Sequence, residues 1–554
     1  WFGVNDPRTD KREYVPLFVF VLAALVLRVV LSLCVTGYES DVSCFKAWGW
    51  RMVHNGPIGF YAEDYFCDYP PGYLYLLAIP QWFCELLNLP LGSAGSTMFY
   101  KLPAISADVL IAVLIYRRFY PRYGHMNAAF AACAILFSPA MWFDSAVWGQ
   151  VESVLMLFLL LCYFALEDDR IPAGCLWYAA AVLVKPQALL FGPILAVYAV
   201  HYFIRKKREA IRPALLGAAG AVALCAAVCV PMCIGQASDV LLSKYFGTMT
   251  SYPYITLNAL NLYQFFGLNN APLDKVFLGL TFRTWTWIGT GISAALAAFV
   301  YWRYRNDRPL VISSVVLIWA LYLFGPSMHE RYLMPVVVLL VVLAWQRDDK
   351  RHFAAACSVS LVQFAAMAGV LRTMHFANGY PLAVFFTCLN LLTFAAFTFC
   401  VLRAPAARNA ERTEKLPPLP KAKDGVRAAV GKIRAYVMNF ANHPMKPKRL
   451  LWTRIDTLLV CVITAAYALV GFANLGDRYW PETWWEPQSW GENYVYDFGS
   501  AQEVGWYNIC EGIGDGALQF EYSIDGEHWT ALGEKWETSY ADFFSWKRVD
   551  NAFT

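Results

Sequence analysis

Long apolar segments separated by shorter polar ones make up most of residues 14–402. A transmembrane helix needs about 20 consecutive apolar residues, and about thirteen segments approach that length. Segment 73–90 is also apolar but contains Pro80 and Glu85, so we interpret it as interfacial or re-entrant. The pattern predicts an α-helical polytopic membrane protein with about 13 transmembrane helices. The predicted spans are 14–36, 99–116, 126–144, 151–166, 171–184, 187–204, 213–234, 285–302, 309–325, 332–346, 353–371, 381–402 and 455–473.

The composition agrees with a membrane protein. Hydrophobic residues make up 58% of the 554 positions and charged residues 16%, whereas soluble domains average about 25% charged residues. With the N-terminus placed in the cytoplasm, 31 of the 45 Lys and Arg residues fall in inner segments and 12 in outer ones. This excess supports that orientation, because basic residues accumulate in cytoplasmic loops. The segments then predicted to face outward are 37–98, 145–150, 235–284, 326–331, 372–380 and everything after 473.

The sequence changes character in its last 150 or so residues. Residues 403–454 carry 13 Lys and Arg, which predicts a basic cytoplasmic linker with an amphipathic piece lying on anionic lipid. No nucleic-acid role is expected. Segment 455–473 then returns the chain across the membrane. Residues 474–554 show short alternating runs and an Asp525-Gly526 hairpin signal, which predict an extracytoplasmic β-sandwich, either truncated or closed by other means.

The stretch 38–77 is longer and more acidic than a simple connection between two helices requires. Asp41 is a candidate general base, since that role needs a carboxylate or imidazole held at a wet site near the reacting hydroxyl. Capping of the next helix by Ser40 or Asp41 is an equal alternative. Asp68 and Tyr69 precede a Pro-Pro-Gly turn. They are candidate substrate-binding residues, and a purely structural turn is the alternative.

A second group of polar residues interrupts the apolar spans. Gln150 and Glu152 belong to a Trp-Gly-Gln-Val-Glu-Ser motif between two predicted spans. Ionisable residues at such positions are costly and often functional, although Glu152 could instead serve the dipole of a helix N-terminus. Lys185 precedes Pro186, which ends or kinks a helix. Its charge is suited to an anionic head group, and extension to the membrane interface is the alternative.

Three ionisable residues, His329, Glu330 and Arg331, begin the tenth predicted span. At a helix N-terminus they would form a phosphate site, with bidentate contacts from Arg331; a local ion pair is the alternative. His329 and Glu330 are also metal-ligand types, but no third ligand is evident. We therefore predict no cofactor and leave a divalent metal open.

Two further pairs of residues follow from the same pattern. Arg28 and Asp108 lie inside two spans and are expected to pair for structural reasons. Cys44 and Cys67 are both predicted outside, where they either form a disulfide or remain free thiols.

The candidate residues come from four distant segments, yet the charge count places all four segments on the outer side. An acid beside cationic anchors at one lipid–water boundary indicates a reaction on a lipid-linked phosphate. A glycosyltransferase is the first hypothesis. A transporter or flippase of lipid-linked sugars is the alternative, but no internal repeat of the kind common in transporters is evident. A surface receptor carried by the tail would not need so many spans.

The motifs SDVSCFKAW, YPPGYLYLL, WGQVES, KPQ and MHERYL occur in this order. Together they resemble membrane glycosyltransferases of the GT-C superfamily, and most closely the bacterial branch related to the eukaryotic GPI mannosyltransferase that adds the second mannose. The resemblance covers about residues 14–402, so we assign residues 1–402 to one transmembrane glycosyltransferase domain. The WGQ motif usually continues with Asp, whereas this chain has Glu152.

The resemblance implies transfer of a hexose, with mannose as the first choice, from a polyprenyl-phosphate donor. The acceptor would be an extracytoplasmic glycan, glycolipid or protein, and transfer would proceed with inversion at a bacterial cytoplasmic membrane. The acidic residue of the first outer loop acts as the base in such enzymes, and it corresponds to Asp41. We choose Lys185, His329 and Arg331 for the donor phosphate on charge and side alone. The remaining candidates for substrate contact are Asp68, Tyr69, Gln150, Glu152 and Glu330.

The tail resembles a discoidin (coagulation-factor C-type) domain in YVYDFGSAQEVGWYNI and FEYSIDGEHW. Such domains often bind carbohydrate or lipid through loops. The resemblance therefore implies a carbohydrate ligand at the tail, while a role of its aromatic residues in the sandwich core is the alternative.

Overall fold

The computed structural model describes the chain in separate stretches, which fall into two compact units, Trp1–Gly476 and Asp477–Thr554. The predicted linker and the predicted span 455–473 lie outside the described residues. The described stretches are 14–61, 65–237, 239–247, 253–373, 381–403, 491–500, 502, 504–510, 516–532, 535–538 and 546–553.

The first unit is almost entirely helical. Two apolar helices, Pro309–Phe324 and Met334–Arg347, are buried along nearly their whole length and form the centre of the bundle. A helix that is apolar on all sides is expected at such a position. The longer described helices are Val15–Cys34, Glu39–His54, Pro71–Leu86, Ala94–Leu136, Glu152–Glu167, Ile171–Val184, Gly192–Lys206, Ile211–Cys233, Phe282–Arg303, Pro309–Phe324, Met334–Arg347, Lys350–Thr373 and Pro381–Arg403.

The predicted multi-pass helical membrane architecture is confirmed. Within the described part of the chain, five helical segments are long and apolar enough to cross a membrane, and three shorter apolar helices accompany them. The five segments are Val15–Cys34, Ala94–Leu136, Pro186–Cys233, Lys350–Leu371 and Pro381–Arg403, and the shorter helices are Ile171–Val184, Pro309–Phe324 and Met334–Arg347.

The predicted division of residues 99–144 into two spans is correct, but the predicted end of the second span is wrong. Ala94–Leu136 is interrupted at Gly124, whose φ of 77° lies outside the helical region, just after Pro121. The second part ends at Leu136 rather than at residue 144. A short helix, Pro139–Trp142, and a π-helical turn, Phe143–Trp148, follow. They carry the chain toward the candidate site.

The region between the first two predicted spans also differs from expectation in detail. Segment 73–90 forms a helix, Pro71–Leu86, that contains Pro80 and begins directly after Pro70, as the Pro-Pro-Gly turn predicts. Another helix, Glu39–His54, has Tyr38 as its N-cap residue and no side-chain capping bond. Capping by Ser40 or Asp41 is therefore wrong, because Asp41 already lies within the first helical turn.

A compact loop region precedes the helix Phe282–Arg303. Strand Thr256–Leu257 pairs in parallel with Met328–His329, and a small hairpin joins Val276–Phe277 to Leu280–Thr281. The loop has its own apolar cluster around Ile255, so it forms a packed unit above the helices rather than a loose connection.

The second unit contains short antiparallel strand pairs. Glu521–Tyr522 pairs with Thr530–Ala531 around the predicted Asp525-Gly526 turn, where Gly526 has a φ of 75°. The prediction of a hairpin at this position is thus confirmed. The discoidin resemblance remains a prediction. The other pairs are Val504–Cys510 with Trp546–Phe553 and Gly516–Leu518 with Trp536–Thr538.

The predicted pair of Arg28 and Asp108 is present and fully buried, with Nε and Oδ2 2.8 Å apart. Asp108 also accepts hydrogen bonds from Ser145 at 2.7 Å and Ser153 at 2.5 Å. Arg28 donates to the carbonyl oxygen of Leu136 at 2.8 Å. This network joins the first helix to three later segments of the bundle.

We expect Asp108→Ala to lower the free energy of unfolding by about 3–5 kcal/mol, because it leaves the buried Arg28 without its counter-charge. Thermal unfolding of the detergent-purified protein measures the change. The double variant Arg28→Met/Asp108→Leu should recover part of the loss. Equal stability of Asp108→Ala and the wild type would show that the pair is not needed for the bundle.

Candidate active site

Asp41 occupies the first turn of the helix Glu39–His54, where its half-buried carboxylate meets the Trp148–Gln150 segment. The indole Nε1 of Trp148 donates to Asp41 Oδ2 at 2.9 Å, and the side-chain amide of Gln150 donates to the same oxygen. Among the described residues, no group donates to Oδ1. The arrangement holds the carboxylate in one orientation and leaves one oxygen able to accept a proton.

Trp148 and Gln150 are held in place by an unusual backbone path. The π-helical turn Phe143–Trp148 ends at Gly149, which adopts a left-handed conformation with a φ of 92°. The amides of Gly149 and Gln150 both donate to the carbonyl oxygen of Asp144, at 2.9 and 3.0 Å. A π-helical turn inside a bundle often marks a functional position, and this one directs two donors at Asp41.

The segment before Asp41 packs directly on the same turn. The amide of Tyr38 donates to the carbonyl oxygen of Trp148 at 3.2 Å, and the two aromatic rings stack with centroids 5.0 Å apart. Gly37 has a φ of 101°, and a Cβ there would lie 2.4 Å from the Trp148 carbonyl oxygen. Only glycine fits at this contact.

Lys101 holds the end of the first helix against the π-helical turn. Its fully buried ammonium donates to the carbonyl oxygens of Val35 at 2.7 Å, Ala146 at 3.1 Å and Val147 at 3.0 Å. Val35 ends the first helix, and the other two carbonyls belong to the π-helical turn. Lys101 thereby links the chain segment that leads to Asp41 with the segment that leads to Gln150.

Gln150 links the carboxylate to the cationic part of the site. Its Oε1 accepts a hydrogen bond from the hydroxyl of Tyr69 at 3.0 Å and lies 3.5 Å from Lys185 Nζ. The Lys185 ammonium also lies 5.8 Å from the centre of the Tyr69 ring. Residues from three sequence-distant motifs therefore meet around one amide side chain.

Lys185 pairs with Glu152, with Nζ and Oε1 2.5 Å apart, and both side chains are buried. The alternative in which Lys185 extends to the membrane interface is therefore wrong. Glu152 begins the helix Glu152–Glu167, where its charge also suits the helix dipole. Burial of the ammonium group lowers the pKa of Lys185, which its partner Glu152 opposes.

Arg331 extends this ion pair into a chain of charges. Its Nε lies 3.3 Å from Glu152 Oε1, and its Nη1 donates to Glu330 Oε1 at 2.6 Å. Its guanidinium also lies 5.8 Å from the centre of the Trp148 ring. The predicted local ion pair is thus present, and it is joined to the rest of the site.

The local structure around His329 differs from the prediction. Met328–His329 is a short strand, and the next helix begins only at Met334. His329 therefore ends a strand, and Glu330 and Arg331 lie in the turn that follows it rather than at a helix N-terminus. Burial, together with Arg331 and Lys185, holds the pKa of His329 well below its ordinary value, so this imidazole is neutral at neutral pH.

Asp68 lies close enough to the site for its charge to interact with that of Asp41. Burial raises the pKa of Asp68, and the Asp41 carboxylate adds to the shift.

Nearby, Cys44 and Cys67 are free thiols, so the disulfide alternative is wrong. In the described part of the chain, no group of three or more His, Cys, Asp and Glu side chains could hold a metal ion.

Sequence reasoning missed three residues that shape the site. Trp148 was visible only as part of a motif, and its indole donates to Asp41. Lys101 and Asp144 were visible as ionisable residues inside apolar spans, a signal that marks functional positions in membrane proteins. Asp144 is fully buried, and neither carboxylate oxygen has a hydrogen-bond partner among the described residues.

Comparison with known proteins gives one family match. Residues 66–326 match the sequence profile of glycosyltransferase family 87. This segment contains Gln150, Glu152 and Lys185, and it supports a membrane glycosyltransferase. No curated protein has significant sequence similarity to the chain.

Among solved structures, the fold is similar to two structures of ArnT from Cupriavidus metallidurans. One is bound to undecaprenyl phosphate and has a TM-score of 0.41, and the other is in the apo state with a TM-score of 0.39. Each is 16% identical, over 76% of this chain and 73% of that chain. At this level of similarity we transfer no residue or ligand from ArnT.

We expect Lys101→Met to lower the thermal stability of the first unit, because three buried carbonyl groups lose a charged donor worth about 1.5–3 kcal/mol each. Lys101→Arg, which retains the charge, should retain more of the stability. Limited proteolysis of the detergent-purified variants near residues 35 and 147 reports local opening. Unchanged melting and cleavage in Lys101→Met would contradict the proposed support.

Proposed function

We propose that this protein is a membrane glycosyltransferase that moves a hexose, with mannose as the first choice, from a polyprenyl-phosphate donor to an extracytoplasmic acceptor. The acceptor is the hydroxyl of a glycan, glycolipid or protein. One observation carries the proposal: the Asp41 carboxylate, held by Trp148 and Gln150, is connected through Gln150 to the Lys185–Glu152–Arg331 charges.

Asp41 is suited to the role of general base. Oδ2 is occupied by two donors, which leaves Oδ1 for the proton of the acceptor hydroxyl. As this proton moves to Asp41, the acceptor oxygen attacks the anomeric carbon of the sugar and the bond to the donor phosphate oxygen breaks. A single displacement of this kind inverts the anomeric centre. It needs one carboxylate, whereas hydrolysis of a glycoside requires two.

The departing group is an already ionised phosphate, so it needs positive charge rather than a proton. Lys185 and Arg331 supply that charge, and both lie next to Oε1 of Glu152. Arg331 presents a planar set of donors that suits a phosphate, and Lys185 acts as a point charge. In this proposal Glu152 and Glu330 hold the two cations in position before the donor arrives.

The remaining candidates are placed for contact with the sugar or the acceptor. Tyr69 hydrogen-bonds Gln150 and lies beside Lys185. Asp68 precedes it in the same loop. The match to glycosyltransferase family 87 supports the reaction class, and the membrane fold and the buried cations support the proposed donor class. In this proposal the site faces the outside of a bacterial cytoplasmic membrane.

We expect Asp41→Asn to reduce sugar transfer by about 10²–10⁴-fold, the usual contribution of a positioned general base. The amide keeps the shape but cannot accept the proton. Transfer from a polyprenyl-phosphate mannose donor to a glycolipid acceptor in detergent is the measurement, and it also distinguishes a transferase from a flippase, because detergent offers no second compartment.

Glu39→Gln is the matched control, since Glu39 is the other acid in the first turn of the same helix. It should transfer normally, and both variants should melt like the wild type. Normal turnover by Asp41→Asn would disprove the assignment of the base. Absence of transfer by the wild type with several lipid-linked hexoses would count against the proposed function itself.

The charges of the site predict that donor binding takes up protons. Four carboxylates face two cations, since His329 is neutral, and a phosphodiester adds another negative charge. Burial raises the pKa of Glu330 in spite of Arg331, and burial also raises the pKa of Asp68. Protonation of either group is therefore the expected source of the proton uptake. The carboxylates are Asp41, Asp68, Glu152 and Glu330, and the cations are Lys185 and Arg331.

We expect the donor to bind more tightly in mildly acidic than in mildly alkaline buffer, because protonation of Asp68 or Glu330 removes repulsion. Calorimetric titration with a phosphodiester-linked sugar in buffers of different ionisation enthalpy counts the protons. Asp68→Asn or Glu330→Gln should bind fewer protons and show a weaker pH dependence. Binding without proton uptake by the wild type would contradict this charge balance.

A further inference from the structure

A small β-hairpin before the helix Phe282–Arg303 exposes an unusual set of apolar side chains. Its strands, Val276–Phe277 and Leu280–Thr281, are joined by the two-residue turn Leu278-Gly279. The exposed fractions are 63% for Val276, 53% for Phe277, 76% for Leu278 and 40% for Leu280. An isolated exposed apolar residue needs no explanation, but four such residues among the six positions of one hairpin do.

The turn itself uses a residue that its backbone disfavours. Leu278 and Gly279 have φ angles of 49° and 78°. Two positive φ values are typical of the type I′ turn, which strongly prefers Asn-Gly, Asp-Gly or Gly-Gly. A left-handed Leu costs about 1–2 kcal/mol. Because Leu278 is largely exposed, this cost is not offset by packing within the described residues.

The base of the hairpin is polar and aromatic, unlike its tip. Asp274 and Arg283 form an exposed ion pair 3.0 Å apart, and Lys275 lies beside them. Trp285 donates its indole N–H to the carbonyl oxygen of Phe277 at 2.9 Å. Tryptophan and basic residues are typical of the membrane–water boundary, with apolar residues beyond it.

The hairpin is continuous with the exposed apolar side of the next helix. The helix Phe282–Arg303 follows it directly and packs along the buried helix Pro309–Phe324. Its 22 residues span about 33 Å, and it contains the predicted transmembrane span 285–302. Large apolar residues are exposed on its outer side. They are Trp287, Ile288, Ile292 and Phe299.

The hairpin is also fastened to the part of the chain that carries His329. The amide of Arg283 donates to the carbonyl oxygen of Leu273, and the amide of Leu273 donates to that of Pro253, both at 2.9 Å. Three residues after Pro253 begins the strand Thr256–Leu257, which pairs with Met328–His329. The hairpin and the site loop therefore belong to one hydrogen-bonded unit.

We propose that the hairpin Val276–Thr281 inserts its apolar tip into the leaflet of the bilayer on the active-site side. The lipid bilayer is the occupant, because the exposed tip continues the lipid-facing surface of the following helix. A stable protein partner would need about 800 Å² on each side, which is more than a six-residue hairpin offers. This proposal does not depend on the glycosyltransferase assignment.

Site-specific photo-crosslinking tests the proposal in the full-length protein. Benzoylphenylalanine at Leu278 is irradiated in nanodiscs of phosphatidylcholine and phosphatidylglycerol, and lipid adducts are measured by mass spectrometry. Ile292 on the following helix is the positive control, and Asp274 at the hairpin base is the matched control. We expect lipid adducts at positions 278 and 292 and several-fold fewer at 274. Equal labelling at 278 and 274, or labelling of protein rather than lipid, would overturn the proposal.

A second variant separates lipid contact from folding. Leu278→Asn places a preferred residue in the turn, so the variant should fold and melt at the wild-type temperature or higher in detergent. Transfer into nanodiscs should raise its melting temperature less than that of the wild type, whereas Asp274→Asn should show the wild-type rise. An unchanged rise in Leu278→Asn would show that the tip makes no stabilising contact with lipid.

Discussion

The buried ion pair between Lys185 and Glu152 is the interaction on which the candidate site depends. A charge without a partner in a membrane protein interior is costly, so each of these residues requires the other to be present. Arg331 and Gln150 complete the arrangement from two further segments. The pair thus forces the helices that carry these residues into one register, and the same register brings Gln150 to Asp41.

A second constraint operates on the backbone. Gly37, the π-helical turn and Gly149 allow two chain segments to approach more closely than side chains would permit. Lys101 then satisfies the carbonyl groups that this close approach leaves in an apolar interior. The acid and the amide that holds it are therefore positioned by rigid packing, which is the condition for an effective catalytic group.

The two constraints position different parts of the candidate site. The backbone contact fixes the orientation of the Asp41 carboxylate, and the ion pairs hold two cations near it. Since carboxylates outnumber the two cations, an incoming phosphate meets a site that is preorganised but not cationic overall. In the proposed reaction, the product phosphate is then not held by uncompensated positive charge.

Sequence alone determined the class of the protein and the identity of most candidate residues. The apolar segments predicted a multi-pass helical bundle because a bilayer demands their length and composition. Gln150, Glu152 and Lys185 interrupt those segments, and they were identified as candidates because burying a charged or polar group in a membrane costs free energy. The sequence did not determine every end of the predicted spans. The span predicted to end at residue 144 ends at Leu136, because Pro139 and the π-helical turn follow it.

Only the tertiary structure decided what these residues do to one another. It showed that Asp41 lies within a helix and accepts hydrogen bonds, that Lys185 is buried against Glu152, and that His329 belongs to a strand. The bonding partners are separated by 33 to more than 100 positions, and local patterns carry no information on such distances. The three hydrogen bonds from Lys101 could not be predicted for the same reason. Every residue has a backbone carbonyl group, and only the tertiary structure determines which three lie within reach of the ammonium group.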